Sequence, residues 1–219
     1  MLELGVFASG RGSNFQAILR AIEEGKLFAK VKVLISNNPE AGAIDLARAH
    51  QVPAEVISSA NFTLREEFVN ALASILESYQ VNFIALAGYL KRVPPEIVSA
   101  YRNRILNIHP ALLPSFGGKG MYGLRVHEAV LSYGCKVTGV TIHLVDEQYD
   151  AGPIVLQRCV PVMENDTPET LAERVLAVEH ELYPMALQLF AENRIQVEGR
   201  KVRILSKGGS VESNSACID

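Results

Sequence analysis

Apolar and mixed segments alternate along the first half of the chain. Four short apolar runs have the length and composition of buried strands, at residues 4–8, 31–35, 54–57 and 82–87. The segments between them carry apolar residues at helical spacing, which predicts helices over residues 15–22, 43–50 and 63–79. Because strands that alternate with helices form parallel sheets, the pattern predicts a three-layer α/β fold with a mostly parallel sheet.

Local signals place the ends of two of these helices. Ser13 or Asn14 is available as the N-cap of the first helix, and Gly25 is its predicted stop. Thr63 and Glu66 have the spacing of a capping box at the start of the third helix. Turn chemistry therefore supports the helix boundaries that the hydrophobic pattern indicates.

A different pattern begins near residue 94. Two prolines at 94–95 open a short helix, and Pro110 ends a strand at residues 104–108. The connection over residues 111–126 is rich in glycine, proline and aromatic residues and is longer than usual, which indicates either a functional or a poorly ordered loop. We interpret it as a lid or a pocket wall.

The last part of the chain predicts a hairpin and a long helix. Two β-rich segments, residues 136–145 and 153–162, flank a hairpin-like loop and should add antiparallel strands near the C-terminus. Thr167 and Pro168 open the longest helix, which should run to about Asn193 and bend at Pro184.

Length and composition describe one ordinary globular domain. We expect a single domain over residues 1–205 and a disordered polar tail over 206–219. The net charge of −3 lacks the basic excess of a nucleic-acid or membrane-surface protein, and the apolar run at 81–87 is too short to cross a bilayer. We expect a cytoplasmic protein whose three scattered cysteines are free thiols, without a disulfide or zinc site.

The first glycine-rich loop, residues 9–14, is a candidate anion site. Glycines let the backbone approach a phosphate, and the amides and dipole of the following helix favour negative charge. The loop lacks both the Walker ending and the full dinucleotide fingerprint, which disfavours ATP and NAD. Taken alone, a simple strand-to-helix turn explains it equally well.

A second candidate lies at the end of the strand at 104–108. Period-2 geometry points Asn107 and His109 to the same side, where an amide and an imidazole could stabilise an oxyanion in acyl transfer without a metal. For His109 alone, a structural histidine is the commoner reading. Asp150 reads first as a turn aspartate, but if it approaches His109 it favours the imidazolium and raises the pKa of His109.

Other polar residues receive weaker readings. We interpret His143 as a hydrogen-bonded core residue, and His50 and His127 as surface groups on helices. None of the three is predicted to be catalytic. Glu179 has two interpretations. It could form a solvated pair with His180, or, because it shares a helix face with apolar residues, it could point inward and bind hydroxyl groups.

Four motifs occur together in a recognisable order: ASGRGSN at 8–14, AGYL at 87–90, LNIHPALLP at 106–114 and DAGPI at 150–154. In this order the sequence resembles the phosphoribosylglycinamide formyltransferases over about residues 1–190. The resemblance implies a Rossmann-like formyltransferase fold. Two departures are Lys91, where many relatives carry arginine, and a longer stretch at 117–123.

The resemblance also implies roles for individual residues. Asn107, His109 and Asp150 would be catalytic; Gly12, Ser13, Asn14 and Glu179 would bind the ribonucleotide; Arg65, Leu90, Lys91, Arg92, Val93 and Asn107 would bind the folate. The implied reaction moves a formyl group from 10-formyltetrahydrofolate to the amine of glycinamide ribonucleotide, directly and without a metal. Small-molecule substrates, no nucleic acid or membrane partner, and a monomer or homodimer are expected.

Three alternatives remain at this point. A methionyl-tRNA formyltransferase would ordinarily carry a further basic domain after the catalytic one, and only about 25 residues remain for it here. A formyltetrahydrofolate hydrolase would share the catalytic residues but typically carries an N-terminal regulatory domain. A non-catalytic phosphosugar-binding protein would keep the first loop without needing all three catalytic residues.

Overall fold

The computed structural model describes residues 1–206. The chain divides after Leu106 into two compact units. Seven strands belong to one sheet in the order β3-β2-β1-β4-β5-β6-β7, and a separate two-stranded sheet follows. The prediction of a mostly parallel α/β fold with an antiparallel addition near the C-terminus is confirmed.

The first unit consists of alternating strands and helices. Its elements are β1 (Leu2–Phe7), α1 (Ser13–Glu23), β2 (Ala29–Ser36), α2 (Gly42–Ala49), β3 (Ala54–Val56), a 3₁₀ turn (Ser59–Asn61), α3 (Arg65–Ser78), β4 (Phe83–Leu86), α4 (Pro95–Ala100) and the start of β5 (Ile105–His109). β1 pairs in parallel with β2 and β4, and β2 pairs in parallel with β3. Every residue of β4 is buried, as expected of a central strand with helices on both faces.

The second unit begins with the last residues of β5. It continues with α5 (Leu124–Tyr133), β6 (Val137–Leu144), β7 (Ile154–Pro161), α6 (Pro168–Ala191), β8 (Ile195–Glu198) and β9 (Lys201–Ile204). β6 and β7 form an antiparallel hairpin, and α6 packs on both of them. Buried apolar residues of α6, such as Val175 and Leu187, fill the core on this side.

Two predicted helix starts are wrong in detail. The N-cap of α1 is Gly12 with φ 84°, and no side chain among residues 1–206 caps this helix, so neither Ser13 nor Asn14 has that role. The chain enters α1 through a left-handed turn that only glycine adopts readily, which moves the boundary by one residue. In α3 the backbone N–H of Leu64 donates to Glu67 Oε2 at 3.2 Å, so the predicted box is one residue out of register.

Other boundaries agree or differ slightly. Gly25 has φ 69° just after α1 and donates to the carbonyl of Ile22, which confirms the predicted stop. Thr167 caps α6 as predicted, with its side chain accepting from Thr170. The predicted loop at 111–126 is shorter because α5 already begins at Leu124.

The hairpin of β8 and β9 was not predicted. All of the predicted tail except Ser206 lies outside the described residues, and the single domain over 1–205 and the bend at Pro184 stay predictions. Within residues 1–206, no helix is both long and apolar enough to cross a membrane.

Candidate active site

The glycine loop of the first unit is held by contacts on two sides. A Cβ at Gly12 would lie 2.9 Å from the Cα of Ala43, and the N–H of Ala43 donates to the Gly10 carbonyl at 3.1 Å. Ser9 Oγ accepts from the N–H of Leu90 at 2.9 Å. The start of α2 and the segment after β4 therefore fix this loop, while the first-turn amides of α1 face out of the helix end.

The residues predicted to bind folate in the first unit occupy different environments. Leu90 is half exposed and Val93 is buried, with Lys91 and Arg92 exposed between them. The Arg65 guanidinium forms a bidentate ion pair with the Glu96 carboxylate, with both nitrogen–oxygen distances at 2.7 Å. Glu96 lies in α4, three residues after Val93, so the structure brings Arg65 to the segment that follows residues 90–93.

The second unit brings Asn107 next to His143. Asn107 Nδ2 lies 3.0 Å from His143 Nε2, and His143 Nδ1 lies 2.9 Å from the Leu144 carbonyl oxygen. Because a carbonyl oxygen only accepts, Nδ1 carries a proton, and Nε2 accepts a hydrogen bond from the amide. His143 therefore orients the Asn107 amide and leaves its second N–H available.

His109 lies in a similar polar frame. Its side chain is 4% exposed, and Nε2 donates to the Phe116 carbonyl oxygen at 2.8 Å. Nδ1 lies 3.7 Å from Asp150 Oδ2, so the expected approach of Asp150 to His109 occurs. The other carboxylate oxygen of Asp150 lies 3.6 Å from His143 Nε2, and the Gly118 N–H donates to Oδ2 at 2.8 Å.

Burial determines the pKa of His109 in the free protein. It lowers the pKa more than the Asp150 charge and the Phe116 carbonyl raise it, so the net pKa lies below its ordinary value. The expected net rise is therefore wrong, although Asp150 acts in the expected direction. Burial also raises the pKa of Asp150, but the charge of His109 and the Gly118 N–H help to hold it below its usual value, and the carboxylate is ionised at neutral pH.

The other histidines differ in how well sequence placed them. His143 is buried in β6 as predicted, but it touches two of the three proposed catalytic residues. His127 is 4% exposed and not a surface group, because it faces inward from α5, and burial followed by the charge of His109 lowers its pKa. His50 lies at the exposed end of α2 and pairs with Glu23. A polar residue within an apolar strand was the one signal that could have singled out His143.

Buried polar contacts support the loop after His109. Thr141 Oγ1 donates to the Ala111 carbonyl and accepts from the N–H of Leu113, at 2.6 and 3.0 Å. Gln157 Nε2 donates to the Leu113 carbonyl at 3.0 Å. These contacts attach the loop to β6 and β7, the strands that carry His143 and lead to Asp150.

Glu179 faces inward from α6. Its side chain is 8% exposed and lies on the helix face of Leu182 and Tyr183, both buried. The solvated-pair reading is therefore wrong for Glu179, and an inward carboxylate is present. Within residues 1–206, no group of three or more histidine, cysteine, aspartate or glutamate side chains is arranged to hold a metal ion.

The site combines an ionised carboxylate, a buried imidazole and an oriented amide, and the amide lies on the same strand as the imidazole. These groups are suited to stabilising the oxyanion of an acyl transfer. Residues 3–187 match the family model described as formyl transferase, and the chain belongs to this family. Within the family, the predicted resemblance to the phosphoribosylglycinamide formyltransferases is confirmed by relatives that carry this name.

Two curated relatives and one crystal structure illustrate the match. The chloroplastic phosphoribosylglycinamide formyltransferase of Vigna unguiculata is 46% identical over 193 residues, which are 88% of this chain and 62% of the relative. The Bacillus subtilis phosphoribosylglycinamide formyltransferase is 36% identical over 188 residues, covering 86% of this chain and 94% of the relative. Glycinamide ribonucleotide transformylase 1 from Symbiobacterium toebii superposes with a TM-score of 0.88 at 45% identity, covering 94% of this chain and 95% of that one. The chain thus spans less than two thirds of the Vigna relative and nearly all of the bacterial proteins.

Proposed function

We propose that the protein transfers the formyl group of 10-formyltetrahydrofolate to the amino group of N1-(5-phospho-D-ribosyl)glycinamide. The products are formylglycinamide ribonucleotide and tetrahydrofolate, in de novo purine (IMP) biosynthesis. The observation that carries the proposal is the contact of His109 with Asp150 beside the His143-oriented amide of Asn107. The names of the relatives indicate the acceptor of the formyl group.

In the proposed reaction the glycinamide amine attacks the formyl carbon, and the carbonyl electrons move to the oxygen. The second N–H of Asn107 donates to this oxyanion, and the Nε2–H of His109 donates to it in place of the Phe116 carbonyl. The tetrahedral intermediate collapses as the bond to N10 breaks, and N10 gains the proton that the amine loses. No covalent bond to the enzyme forms.

Asp150 sets the protonation of His109 in this scheme. Burial keeps His109 largely neutral in the free protein. Negative charge that develops on the formyl oxygen adds to the charge of Asp150, and both favour the imidazolium. His109 therefore gains positive charge as the transition state forms. This lowers the activation barrier, whereas binding the substrate and the transition state equally tightly would not.

The binding residues follow the same proposal. Gly12, Ser13 and Asn14 bind the phosphoribosyl group through backbone amides and the α1 dipole, and Glu179 accepts from hydroxyl groups of the ribonucleotide. The folate contacts Arg65, Asn107 and residues 90–93. Because Val93 is buried and Arg65 already pairs with Glu96, the exposed side chains of Leu90, Lys91 and Arg92 and the backbone offer the remaining contacts on this segment.

We further propose a single catalytic domain over residues 1–205, acting in the cytoplasm as a monomer or homodimer without a metal, nucleic-acid or membrane partner. The family match at residues 3–187 runs through both compact units, which supports one domain. The net charge of −3 does not favour nucleic acid. The Vigna relative is named chloroplastic, so location is tested by fractionating the native source.

The test follows the absorbance change of 10-formyltetrahydrofolate with and without glycinamide ribonucleotide. Wild type should show amine-dependent turnover, and His109→Ala should lose it, while the exposed His50→Ala retains it. Folate consumption without the amine would identify a hydrolase. Ribonucleotide binding without any turnover would identify a binding protein, and a trapped formyl-enzyme would exclude direct transfer.

A further inference from the structure

The hairpin of β8 and β9 lies beyond the residues that match the family model, which end at residue 187. Its turn carries Arg200, whose Nη1 donates to the carbonyl oxygen of Ala151 at 2.8 Å. Ala151 directly follows Asp150 in the loop between β6 and β7. The hairpin therefore holds the backbone of the loop that presents the carboxylate to His109.

The hairpin is itself braced. At its base, Arg194 Nε donates to the Leu205 carbonyl at 2.5 Å, and the N–H of Leu205 donates back to the Arg194 carbonyl at 2.8 Å. β9 also contacts β7, the strand that follows the Asp150 loop. Arg200 is therefore carried by a hairpin that is itself held in place by hydrogen bonds and by its contact with β7.

Asp150 has a conformation that requires support. Its φ is 51°, in the left-handed region that residues with a Cβ adopt rarely and at some cost. Such a conformation persists only when surrounding contacts fix it. On the side-chain side the Gly118 N–H donates to the carboxylate, and on the backbone side Arg200 holds the next carbonyl.

We propose that Arg200 is a positioning residue, whose hydrogen bond to Ala151 fixes the Asp150 carboxylate against His109. The inference rests on the proposed formyl transfer, since it is the rate of that reaction that Arg200 would set. In this proposal Arg200 does not contact the formyl group or the glycinamide amine, and it acts only through the loop that carries Asp150.

The kinetic test compares variants within one hairpin. Arg200→Ala should lower kcat about tenfold, with KM for both substrates changed less than about twofold, because misplacing a catalytic group affects the rate more than binding. Arg200→Lys should restore part of the rate, since lysine keeps one donor. Arg203→Ala removes a guanidinium that pairs with Glu198 on the hairpin surface, and kcat should stay within about twofold of wild type.

The pH profile separates positioning from general damage. A looser Asp150 gives His109 less of the charge that favours its imidazolium, so the alkaline limb of kcat should move to lower pH in Arg200→Ala. His143 and His127, the other titratable groups facing His109, are intact in both variants. An equal rate loss in Arg200→Ala and Arg203→Ala, or a reduced rate with an unmoved limb, would overturn the proposal.

Hydrogen exchange of residues 146–152 tests the contact without substrates. Exchange should be faster in Arg200→Ala than in Arg203→Ala or wild type. If wild type shows no amine-dependent turnover while exchange differs as expected, the proposed function fails and the hold on the loop is supported. If wild type is active but Arg200→Ala matches it in rate and exchange, the inference fails and the function stands.

Discussion

The carboxylate of Asp150 lies 3.7 Å from Nδ1 of His109, and yet the pKa of His109 is below its ordinary value. Burial of the ring opposes the charged form more strongly than the carboxylate favours it. The free protein therefore holds an ionised Asp150 beside a largely neutral imidazole. We expect His109 to take up a proton from solvent as negative charge develops on the formyl oxygen, and to release it when the oxyanion collapses.

This relationship predicts the effect of Asp150→Asn. The variant removes the charge that raises the pKa of His109, so that pKa should fall further, and kcat/KM should drop by about 100-fold or more near pH 7. The loss should grow as pH rises, because the remaining imidazolium is depleted first at high pH. Amine-dependent turnover and a proton NMR titration of His109 measure both effects.

Asp45→Asn is the matched control for this change. Asp45 is an exposed aspartate that pairs with Arg48 on α2, and its replacement should leave the rate unchanged. An Asp150→Asn protein whose His109 titrates as in wild type would contradict the proposed coupling.

The contact of Asn107 with His143 predicts two graded losses. Asn107→Ala removes an oxyanion donor and should lower kcat about 10²- to 10³-fold. His143→Phe keeps a buried ring but removes the acceptor that orients the amide, and a loss of about tenfold is expected. Steady-state kinetics should show the double variant losing little more than Asn107→Ala alone; fully additive losses would mean that His143 acts independently of the amide.

Much of this site could be predicted because it depends on short-range geometry. Alternation along β5 placed Asn107 and His109 on one side, and the strand itself followed from its apolar neighbours. The position of Asp150 beside them depends on the hairpin of β6 and β7, which alternation and turn residues also indicate. The family motifs then supplied roles that spacing alone could not.

The misses share a different cause, since each depends on packing between distant segments. His127 lies on a helix whose inward face is set by its contacts with α6, and no local signal fixes that rotation. Gly12 displaced Ser13 as the cap because the approach of Ala43 and the left-handed turn decide the entry into α1. The β8 and β9 strands have four residues each and are half exposed, so their hydrophobic pattern is weak.

Buried histidines predict how stability changes with pH. The pKa values of His109, His127 and His180 are lowered by burial, so the unfolded chain binds these protons more readily than the folded protein. The associated stability is fully present above the unfolded pKa of about 6.5 and is lost as pH falls through the lower folded values. Each group contributes a slope of at most about 1.4 kcal/mol per pH unit.

His127→Gln tests this because His127 is buried and has no proposed catalytic role. Urea unfolding at about pH 5.5 and about pH 7.5 should give a smaller difference in the free energy of unfolding for the variant than for wild type. His50→Gln, at an exposed histidine paired with Glu23, serves as the surface control. An unchanged difference in His127→Gln would mean that this ring is not held neutral by burial.

Substitutions at two glycines with similar backbone conformations test whether the first loop binds phosphate or is only a strand-to-helix turn. Gly12 and Gly25 have φ of 84° and 69°, but a Cβ at Gly12 would meet the backbone of Ala43 at 2.9 Å, whereas a Cβ at Gly25 meets nothing within 4 Å. Gly25→Ala should therefore cost only the left-handed conformation, about 1 kcal/mol, and Gly12→Ala clearly more, as measured by urea unfolding. If the loop binds phosphate, Gly12→Ala should also raise KM for the ribonucleotide about tenfold, while Gly25→Ala leaves it unchanged. A Gly12→Ala protein that is less stable but has an unchanged KM would show that the loop is only a strand-to-helix turn, and would place the phosphate elsewhere in the protein.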